Sequence, residues 1–390
     1  MLFRRKLCVA LMTAAILFLM LASQSIQRRY FQPLSLALPI SWATPTGRET
    51  VVEPTVPPAD PTPDPPRTPP PPDTTQPEAE EKPVKNSQYN LRSCGCTESC
   101  ISDLGGSDWF RQRYDPKQQP ILFRDNNNFD PKALRWWLNL QRSGNNDQTL
   151  NEVMLDMFKV ISPPTVDFRP LSSRCRSCAV VGNSGNLRGS ENGNLINSHD
   201  YVIRMNKALT RGFEKDVGNR TTHHFLYPES AVDVDHGVSL VLLPFKLRDL
   251  EWLTSALSTG QVKMTYMRVK DRVQADKDKV LVVNPVFFKY ANDRWTEGHG
   301  RYPSTGMLAI IFALHTCDQV SVFGYGADQQ GNWHHYWEDN RYAGAFRKTG
   351  VHSADFETQI IHRLAKEGKI SLHLGQKLRP TDPQTSLQTF

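Results

Sequence analysis

The run AVVGNSGNLRGS, Ala179 to Ser190, decides the fold. Three apolar residues, two of them β-branched, end abruptly at Gly182. That is too short for a helix and reads as a buried strand closed by a glycine turn. Asn183, Ser184, Gly185 and Asn186 follow at once. In open α/β sheets, ligands bind beyond the carboxyl ends of the strands. Glycines there let the backbone approach a phosphate, and Asn and Ser side chains add hydrogen-bonding groups. The spacing is neither G-x-G-x-x-G nor G-x-S-x-G, so a dinucleotide fingerprint and a hydrolase nucleophile elbow are both excluded. On these residues alone a plain strand-to-helix turn remains an equal reading.

Outward from this run, strands and helices alternate. Strands are predicted at Tyr201 to Met205, Val238 to Leu243, Lys279 to Val283, Val320 to Phe323 and Ile370 to Leu374. Helices are predicted at Pro131 to Arg142, with Asp130 as N-cap, and at Thr149 to Val160, Leu247 to Leu257, Val286 to Trp295, Met307 to His315 and Ala354 to Lys366. Alternation of this kind predicts an α/β fold: a mostly parallel twisted sheet with helices on both faces.

The amino-terminal part has a different character. Arg4-Arg5-Lys6 precedes an apolar run, Leu7 to Ala22, of about 16 residues, short for a membrane span but sufficient in a thin bilayer. The basic cluster predicts a cytosolic amino terminus, against the weaker pull of Arg28 and Arg29 on the far side. A cleaved signal peptide is the alternative. Thr44 to Lys85 is rich in Pro, Thr and Glu and cannot bury a core, so it reads as an extended spacer. The expected organisation is a tail at 1–6, a transmembrane anchor at 7–23, a Pro-rich stem at 24–90 and a globular domain at 91–390.

Net charge is +6 over 390 residues, and the five basic residues just named flank the apolar run. The globular part has no dense basic stripe, which argues against a nucleic-acid partner. A mild positive balance suits a small anionic substrate. Of seven cysteines, Cys8 lies in the apolar run, and Cys94, Cys96, Cys100, Cys175, Cys178 and Cys317 remain. An even count beyond a membrane segment reads as disulfides. The spacing Cys94-x-Cys96-x3-Cys100 with Cys175-x2-Cys178 leaves zinc as the rival reading.

Three further stretches can carry chemistry. Arg301-Tyr302-Pro303-Ser304-Thr305-Gly306 opens the helix at Met307, where Ser or Thr is a cap and the helix N-terminus can also face an anion. His334-His335-Tyr336-Trp337-Glu338 follows the strand that ends in Gly324-Tyr325-Gly326, and His352-x4-Glu357 comes next. A neutral His can take a hydroxyl proton, and a protonated one can stabilise a leaving phosphate. His352-x4-Glu357 lacks the H-E-x-x-H zinc spacing. Asp233-x-Asp235 resembles a metal-diphosphate motif but precedes its strand instead of following one, so it reads as a solvated loop.

Taken together, these stretches resemble the sialylmotifs of the animal sialyltransferases. The large motif spans Cys178 to Thr222, with AVVGNSGNLRGS and HDYVIRMNKA. The small motif is NPVFFKYANDRWTEGHGRYPSTG, Asn284 to Gly306. The third is His335-Tyr336-Trp337-Glu338, and the very small one is His352-x4-Glu357. The likeness covers about Cys94 to Leu374. WWLNLQ and GNWHHYWE resemble the β-galactoside α-2,3-sialyltransferases of types I and II, and SDWF, HHFLYPESA and DRWTEGHGRYPSTGM are slightly more similar to type II.

The resemblance implies a metal-free, GT-A-like variant of a Rossmann-type sheet. It implies inverting transfer of sialic acid from CMP-sialic acid to the 3-hydroxyl of galactose in Galβ1-3GalNAc, on glycoproteins and glycolipids, with no cofactor. His352 becomes the general base and His335 the support for the departing phosphate. Asn183, Asn206, Tyr266, Tyr302, Ser304, Thr305, Gly306 and Gly326 hold the donor. Gln141, Tyr266 and Tyr302 meet the acceptor. The implied disulfides are Cys94–Cys100, Cys96–Cys175 and Cys178–Cys317, the last tying the two donor-binding loops together. Asn219-Arg220-Thr221 is an N-glycosylation sequon. The implied setting is the Golgi membrane in type II orientation, with a homodimer and a cleaved, secreted form allowed. A metal-dependent glycosyltransferase using Asp233 and Asp235, and an inactive membrane-anchored glycan-binding protein, are the rival readings.

Overall fold

A computed structural model describes residues 95–97, 100–125, 129–141, 148–162, 164, 168, 173–328, 331–338 and 350–375. They fall in the unit Lys85–Phe390. The expected tail, anchor and stem lie outside the described residues. Among those described, no helix is long and apolar enough to cross a membrane.

Seven strands form one sheet: β1 (Ser177–Val181), β2 (Tyr201–Met205), β3 (His223–Leu226), β4 (Ser239–Leu242), β5 (Val280–Val282), β6 (Gln319–Phe323) and β7 (Ser371–His373). Their order is β5-β4-β3-β2-β1-β6-β7, and every neighbouring pair is parallel. The chain therefore steps from β1 outward to β5, then returns to the other side of β1 with β6. The reversal between β1 and β6 is the crevice where such sheets bind ligands.

The alternation of side chains along β1 and β2 builds two cores. Cys178, Val180, Ile203 and Met205 face one hydrophobic layer. Ala179, Val181 and Val202 face a second, with Leu187, Ile196, Val217 and Tyr336. A slip of one residue would exchange the two sets. Both faces are thus covered, as expected for a parallel sheet.

The helices used below are α1 (Asp108–Arg113), α2 (Pro131–Leu138), α3 (Leu150–Val160), α4 (Gly193–Asn197), α5 (Glu214–Val217), α6 (Leu247–Ala256), α7 (Pro285–Tyr290), α8 (Thr305–Thr316) and α9 (Ala354–Lys366). Their starts are written in the sequence. Asp130 Oδ2 accepts from Ala133 N at 2.8 Å, and Pro131 supplies a preset φ. Thr149 and Glu152 form a reciprocal capping box before α3. Helix α8 reads MLAIIFAL without a polar face because it is enclosed; Met307 to Leu314 are all buried.

Three expectations are corrected. The helix from Pro131 stops at Leu138, short of Arg142. The helix at Val286 to Trp295 is α7 followed by one wide turn, Ala291–Trp295. Strand β3 was not anticipated, because His223-His224 reads as polar. Both rings are buried. Thr222 Oγ1 lies 2.9 Å from His223 Nδ1, and His224 Nε2 meets the Asn206 carbonyl at 2.6 Å. Burial pushes the His223 ring down to about 4, so it sits in the strand uncharged.

Two disulfides are present as expected, Cys96–Cys175 and Cys178–Cys317. Cys100 is also disulfide-bonded, and its expected partner Cys94 lies outside the described residues. These bonds remove the thiolates a zinc site would need. The one cluster of metal-ligand type among the described residues, Cys96, Cys175 and Asp318, is built on a disulfide. One detail differs from expectation. Cys178 sits near the amino end of β1 and Cys317 just beyond α8. The bond therefore staples the side of the sheet opposite Gly182, not the ligand loops themselves.

The Cys178–Cys317 bond closes a loop with a sequence separation of 139. Chain entropy assigns such a closure about 5 kcal/mol. The double variant Cys178→Ser/Cys317→Ser should melt roughly 10–20 °C lower than the parent chain. A thermal melt of both proteins under non-reducing conditions decides this, and equal midpoints would show that packing alone holds α8 to β1.

Candidate active site

The carboxyl ends of β1 and β6 cross at contact distance. Gly182 N donates to the Phe323 carbonyl at 2.8 Å, and Ser184 N to the Gly324 carbonyl at 3.1 Å. A Cβ on Gly182 would stand 2.3 Å from the Gly324 oxygen, so no side chain fits. Ser184 Oγ donates to the Gly326 carbonyl at 2.7 Å, and Asn186 Nδ2 to the Tyr325 carbonyl at 2.7 Å. Gly326 has φ +84°, a conformation that favours glycine. The turn Gly182–Asn186 is thus laced to the loop after β6.

A third segment joins them. Gly185 N donates to the His334 carbonyl at 2.7 Å, and Tyr336 N to the Asn183 carbonyl at 3.0 Å. This fixes His335 beside the β1 turn. Its Nδ1 lies 2.8 Å from Glu338 Oε2, and its ring stacks on Trp337 at 4.5 Å between centroids. The side chain is 49% exposed. Burial raises the Glu338 carboxyl, but hydrogen bonds from His335 and Trp337 together with the His335 charge outweigh it and hold the carboxyl below its ordinary value.

Asn183 Nδ2 donates to the Met205 carbonyl at 3.0 Å. Asn206, just past β2, takes φ +60°. The amide oxygens of Asn183, Asn186 and Asn206 are buried without a hydrogen-bond partner among the described residues. Three orphaned acceptors at the ends of two adjacent strands are costly unless something donates to them. They suit a ligand carrying hydroxyl or amino groups.

The second half of the site is held by its backbone. His352 Nδ1 lies 2.9 Å from the Tyr302 carbonyl. A carbonyl only accepts, so Nδ1 carries the proton and Nε2 the lone pair. Burial pushes the His352 ring below its ordinary value, against the opposing pull of the Tyr302 carbonyl. The ring meets that of Tyr302 edge to face at 5.2 Å. Five residues on, Glu357 Oε1 accepts from Ser304 N at 2.7 Å, and Oε2 from Ser304 Oγ at 2.5 Å. Ser304 Oγ also caps α8 by accepting from Met307 N at 3.1 Å. The hydroxyl of Ser304 is thus engaged in holding its own loop, and Thr305 is the first residue of α8. Gly306 connects the halves: its carbonyl accepts from Tyr325 Oη at 3.0 Å, and a Cβ there would lie 2.9 Å from the Tyr325 ring.

Gln141 and Tyr302 come together as expected, with Gln141 Nε2 donating to Tyr302 Oη at 2.9 Å. Tyr266 stands 61% exposed, its ring 4.9 Å from the Lys246 ammonium. Sequence reasoning missed Lys246, which is buried with Glu229 and Asp249. The only signal was a lysine directly after the apolar run Leu240 to Phe245, where a charge needs buried partners.

Two other motifs lie elsewhere. Asp233 and Asp235 are exposed in the loop before β4, as read, and Asp233 pairs with Lys270 and accepts from Gln274 N. Asn219 is exposed in the turn between α5 and β3, at the amino ends of the strands. Its Oδ1 accepts from Asn197 Nδ2 at 2.9 Å, which leaves Nδ2 on the other side of the amide.

Comparison with known proteins bears on this site. Residues 121–369 match the family model for glycosyltransferase family 29 (sialyltransferase). The chain is 56% identical over 285 residues to CMP-N-acetylneuraminate-beta-galactosamide-alpha-2,3-sialyltransferase 2 of Rattus norvegicus, covering 73% of this chain and 81% of the rat protein. It is 49% identical over 303 residues to the corresponding sialyltransferase 1 of Sus scrofa, covering 77% and 87%. The type 2 protein is therefore somewhat more similar. A crystal structure of a mammalian sialyltransferase in complex with Gal-beta-1-3GalNAc-ortho-nitrophenol superposes with a TM-score of 0.67 at 46% identity, covering 73% of this chain and 100% of that one.

The Glu357 clamp has a pH signature. Burial pushes its carboxyl up to about 7 from the ordinary value of 4.5, against hydrogen bonds from Ser304. The folded protein then binds a proton more tightly than the unfolded chain. Stability from this group is fully present below about pH 4.5 and is lost as pH rises through about 7, by roughly 3 kcal/mol in all. Glu357→Gln should flatten the fall in denaturant midpoint between pH 5 and pH 8. An unchanged slope in the variant would mean that Glu357 is not the titrating group.

Proposed function

The chain belongs to glycosyltransferase family 29, the sialyltransferases, and we propose that it moves sialic acid from CMP-sialic acid to the 3-hydroxyl of the terminal galactose of Galβ1-3GalNAc. The observation that carries this reading is the His352 Nδ1 contact with the Tyr302 carbonyl, because it commits Nε2 to the role of base. The acceptor assignment is supported by the disaccharide ligand of the superposable crystal structure and by the galactosamide named for the rat and pig relatives.

The reaction is a single inverting displacement. The galactose 3-oxygen attacks the anomeric carbon of sialic acid as its proton passes to His352 Nε2. The bond from that carbon to the CMP phosphate breaks, and CMP leaves with the electron pair. A positioned base contributes about 10² to 10⁴ in rate. His335, half-exposed and paired with Glu338, donates to the departing phosphate, and Tyr302 adds its hydroxyl. The orphaned oxygens of Asn183 and Asn206 accept from the amino and hydroxyl groups of the nucleoside. A monophosphate leaving group develops less charge than a diphosphate. Histidine and tyrosine donors can meet it, and the reading requires no metal.

The catalytic domain is proposed to lie in the Golgi lumen behind a GT-A-like variant scaffold and a signal anchor. The disulfides and the exposed sequon at Asn219 are in keeping with that compartment.

The test is a transfer assay with CMP-sialic acid on Galβ1-3GalNAc and Galβ1-4GlcNAc aryl glycosides, with and without EDTA. Transfer should favour the first acceptor and survive EDTA. His352→Ala should lower kcat by about 10² or more while CMP still binds. Loss of transfer in EDTA with recovery in manganese, or near-normal turnover of His352→Ala, would refute the mechanism. In a chain expressed in a secretory system, glycosidase treatment should remove one glycan at Asn219; a mass unchanged by the enzyme would count against the sequon's use.

A further inference from the structure

Beneath the exposed ring of Tyr266 lies an ammonium that solvent barely reaches. The Lys246 side chain is 3% exposed, Glu229 4% and Asp249 0%. Lys246 Nζ donates to Glu229 Oε1 at 3.2 Å and to Gln141 Oε1 at 2.9 Å, and forms an ion pair with Asp249 Oδ1 at 2.8 Å. Thr265 Oγ1 donates to the same Glu229 oxygen, just before Tyr266 in sequence. Helix α6 starts directly after Lys246, and Asp249 N donates back to the Lys246 carbonyl at 3.0 Å. The lysine is therefore fixed by its own helix.

The consequence falls on Gln141. A primary amide has one accepting end and one donating end. An ammonium has only donors, so Gln141 must turn its oxygen to Lys246. Its Nε2 then faces Tyr302 and donates to Oη at 2.9 Å. With that oxygen accepting, the Tyr302 hydrogen is turned away from Gln141. Were the amide reversed, Gln141 Oε1 would take the Tyr302 hydrogen and its NH₂ would oppose the ammonium.

We propose that Lys246 is a positioning residue for transfer: through the fixed amide of Gln141 it turns the hydroxyl hydrogen of Tyr302 into the active site. It touches no substrate in this scheme. It makes Tyr302 a donor to the oxyanion that forms as CMP departs, or to the sialic acid carboxylate, instead of a donor to the protein. The geometric basis is a set of four contacts: Asp249 and Glu229 on Lys246, Lys246 on Gln141, and Gln141 on Tyr302. The inference rests on the sialyltransferase reading above.

A double-mutant cycle tests it. Lys246→Met combined with Glu229→Gln and Asp249→Asn removes the ammonium together with both of its carboxylate partners, so that no ionised partner is stranded. Steady-state kinetics on the Galβ1-3GalNAc aryl glycoside should show a loss of about tenfold or more in kcat/KM, and Tyr302→Phe a loss of about ten- to a hundredfold. Combining the two sets should cost less than about twofold beyond Tyr302→Phe alone, because the lysine acts through that hydroxyl. Fully multiplicative losses would overturn the proposal and leave Lys246 a residue of the fold only. Melting curves accompany each variant. Should the charge-free variant fail to fold, Gln141→Glu replaces it. That change keeps Lys246 paired and offers the Tyr302 hydrogen a carboxylate, so it should lower kcat/KM in the parent and add little in Tyr302→Phe. A multiplicative loss there overturns the proposal equally. A parent chain that shows no transfer would instead sink the sialyltransferase reading, whatever the cycle gives.

Discussion

One side chain just before α9 and one in its first turn hold the backbone from Tyr302 to Ser304, and the rest of the site is arranged around that clamp. His352 meets the Tyr302 carbonyl, and Glu357 takes both the N–H and the hydroxyl of Ser304. Each contact is local, yet each sets something chemical. The first chooses the imidazole tautomer. The second places a carboxyl at the amino end of α8, where the helix field favours negative charge while burial opposes it. A histidine fastened in this way cannot turn its Nδ1 to a substrate without giving up a hydrogen bond in a buried setting.

The clamp works only because the sheet delivers its partner loops to the same place. Gly182 and Gly324 let the ends of β1 and β6 touch, and the His334–Tyr336 segment is threaded through the β1 turn by two backbone hydrogen bonds. The Tyr325 hydroxyl reaches the Gly306 carbonyl at 3.0 Å, so the loop after β6 is tied to the start of α8. The asparagines at the ends of β1 and β2 and the two histidines thus share one hydrogen-bonded frame. Precision of this order is what transfer chemistry needs, since a reacting geometry lost by about 1 Å can cost about 10² in rate.

Much of this was legible before any coordinates. The buried strand ending in GNSGN announced a tight turn at a strand's carboxyl end, and those residues alone left a ligand turn and a plain strand-to-helix turn as equal readings. The order of strand and helix announced a parallel sheet. Two kinds of feature stayed hidden. Strand β3 opens with His223-His224, and a polar pair gives no strand signal; only the surrounding structure shows that both rings are buried and that burial disfavours their charged forms. Lys246 is the other case. A lysine reads as surface by default, and its partners Glu229, Asp249 and Gln141 are brought to it by three different elements. Ser304 shows a third limit. Its position at a helix start suggested both capping and ligand contact, and the hydroxyl turns out to be engaged by Glu357. Residues that bind a ligand and residues that hold the binding loop carry the same signature in sequence.

The central claim is that His352 is held neutral, protonated on Nδ1, by the Tyr302 carbonyl. Nitrogen-detected NMR of the chain carrying labelled histidine tests this most directly, with His352→Gln used to assign the resonance. The account predicts an Nδ1–H tautomer whose titration midpoint lies below the ordinary histidine value of 6.5. An Nε2–H tautomer, or a midpoint at or above that value, would contradict it.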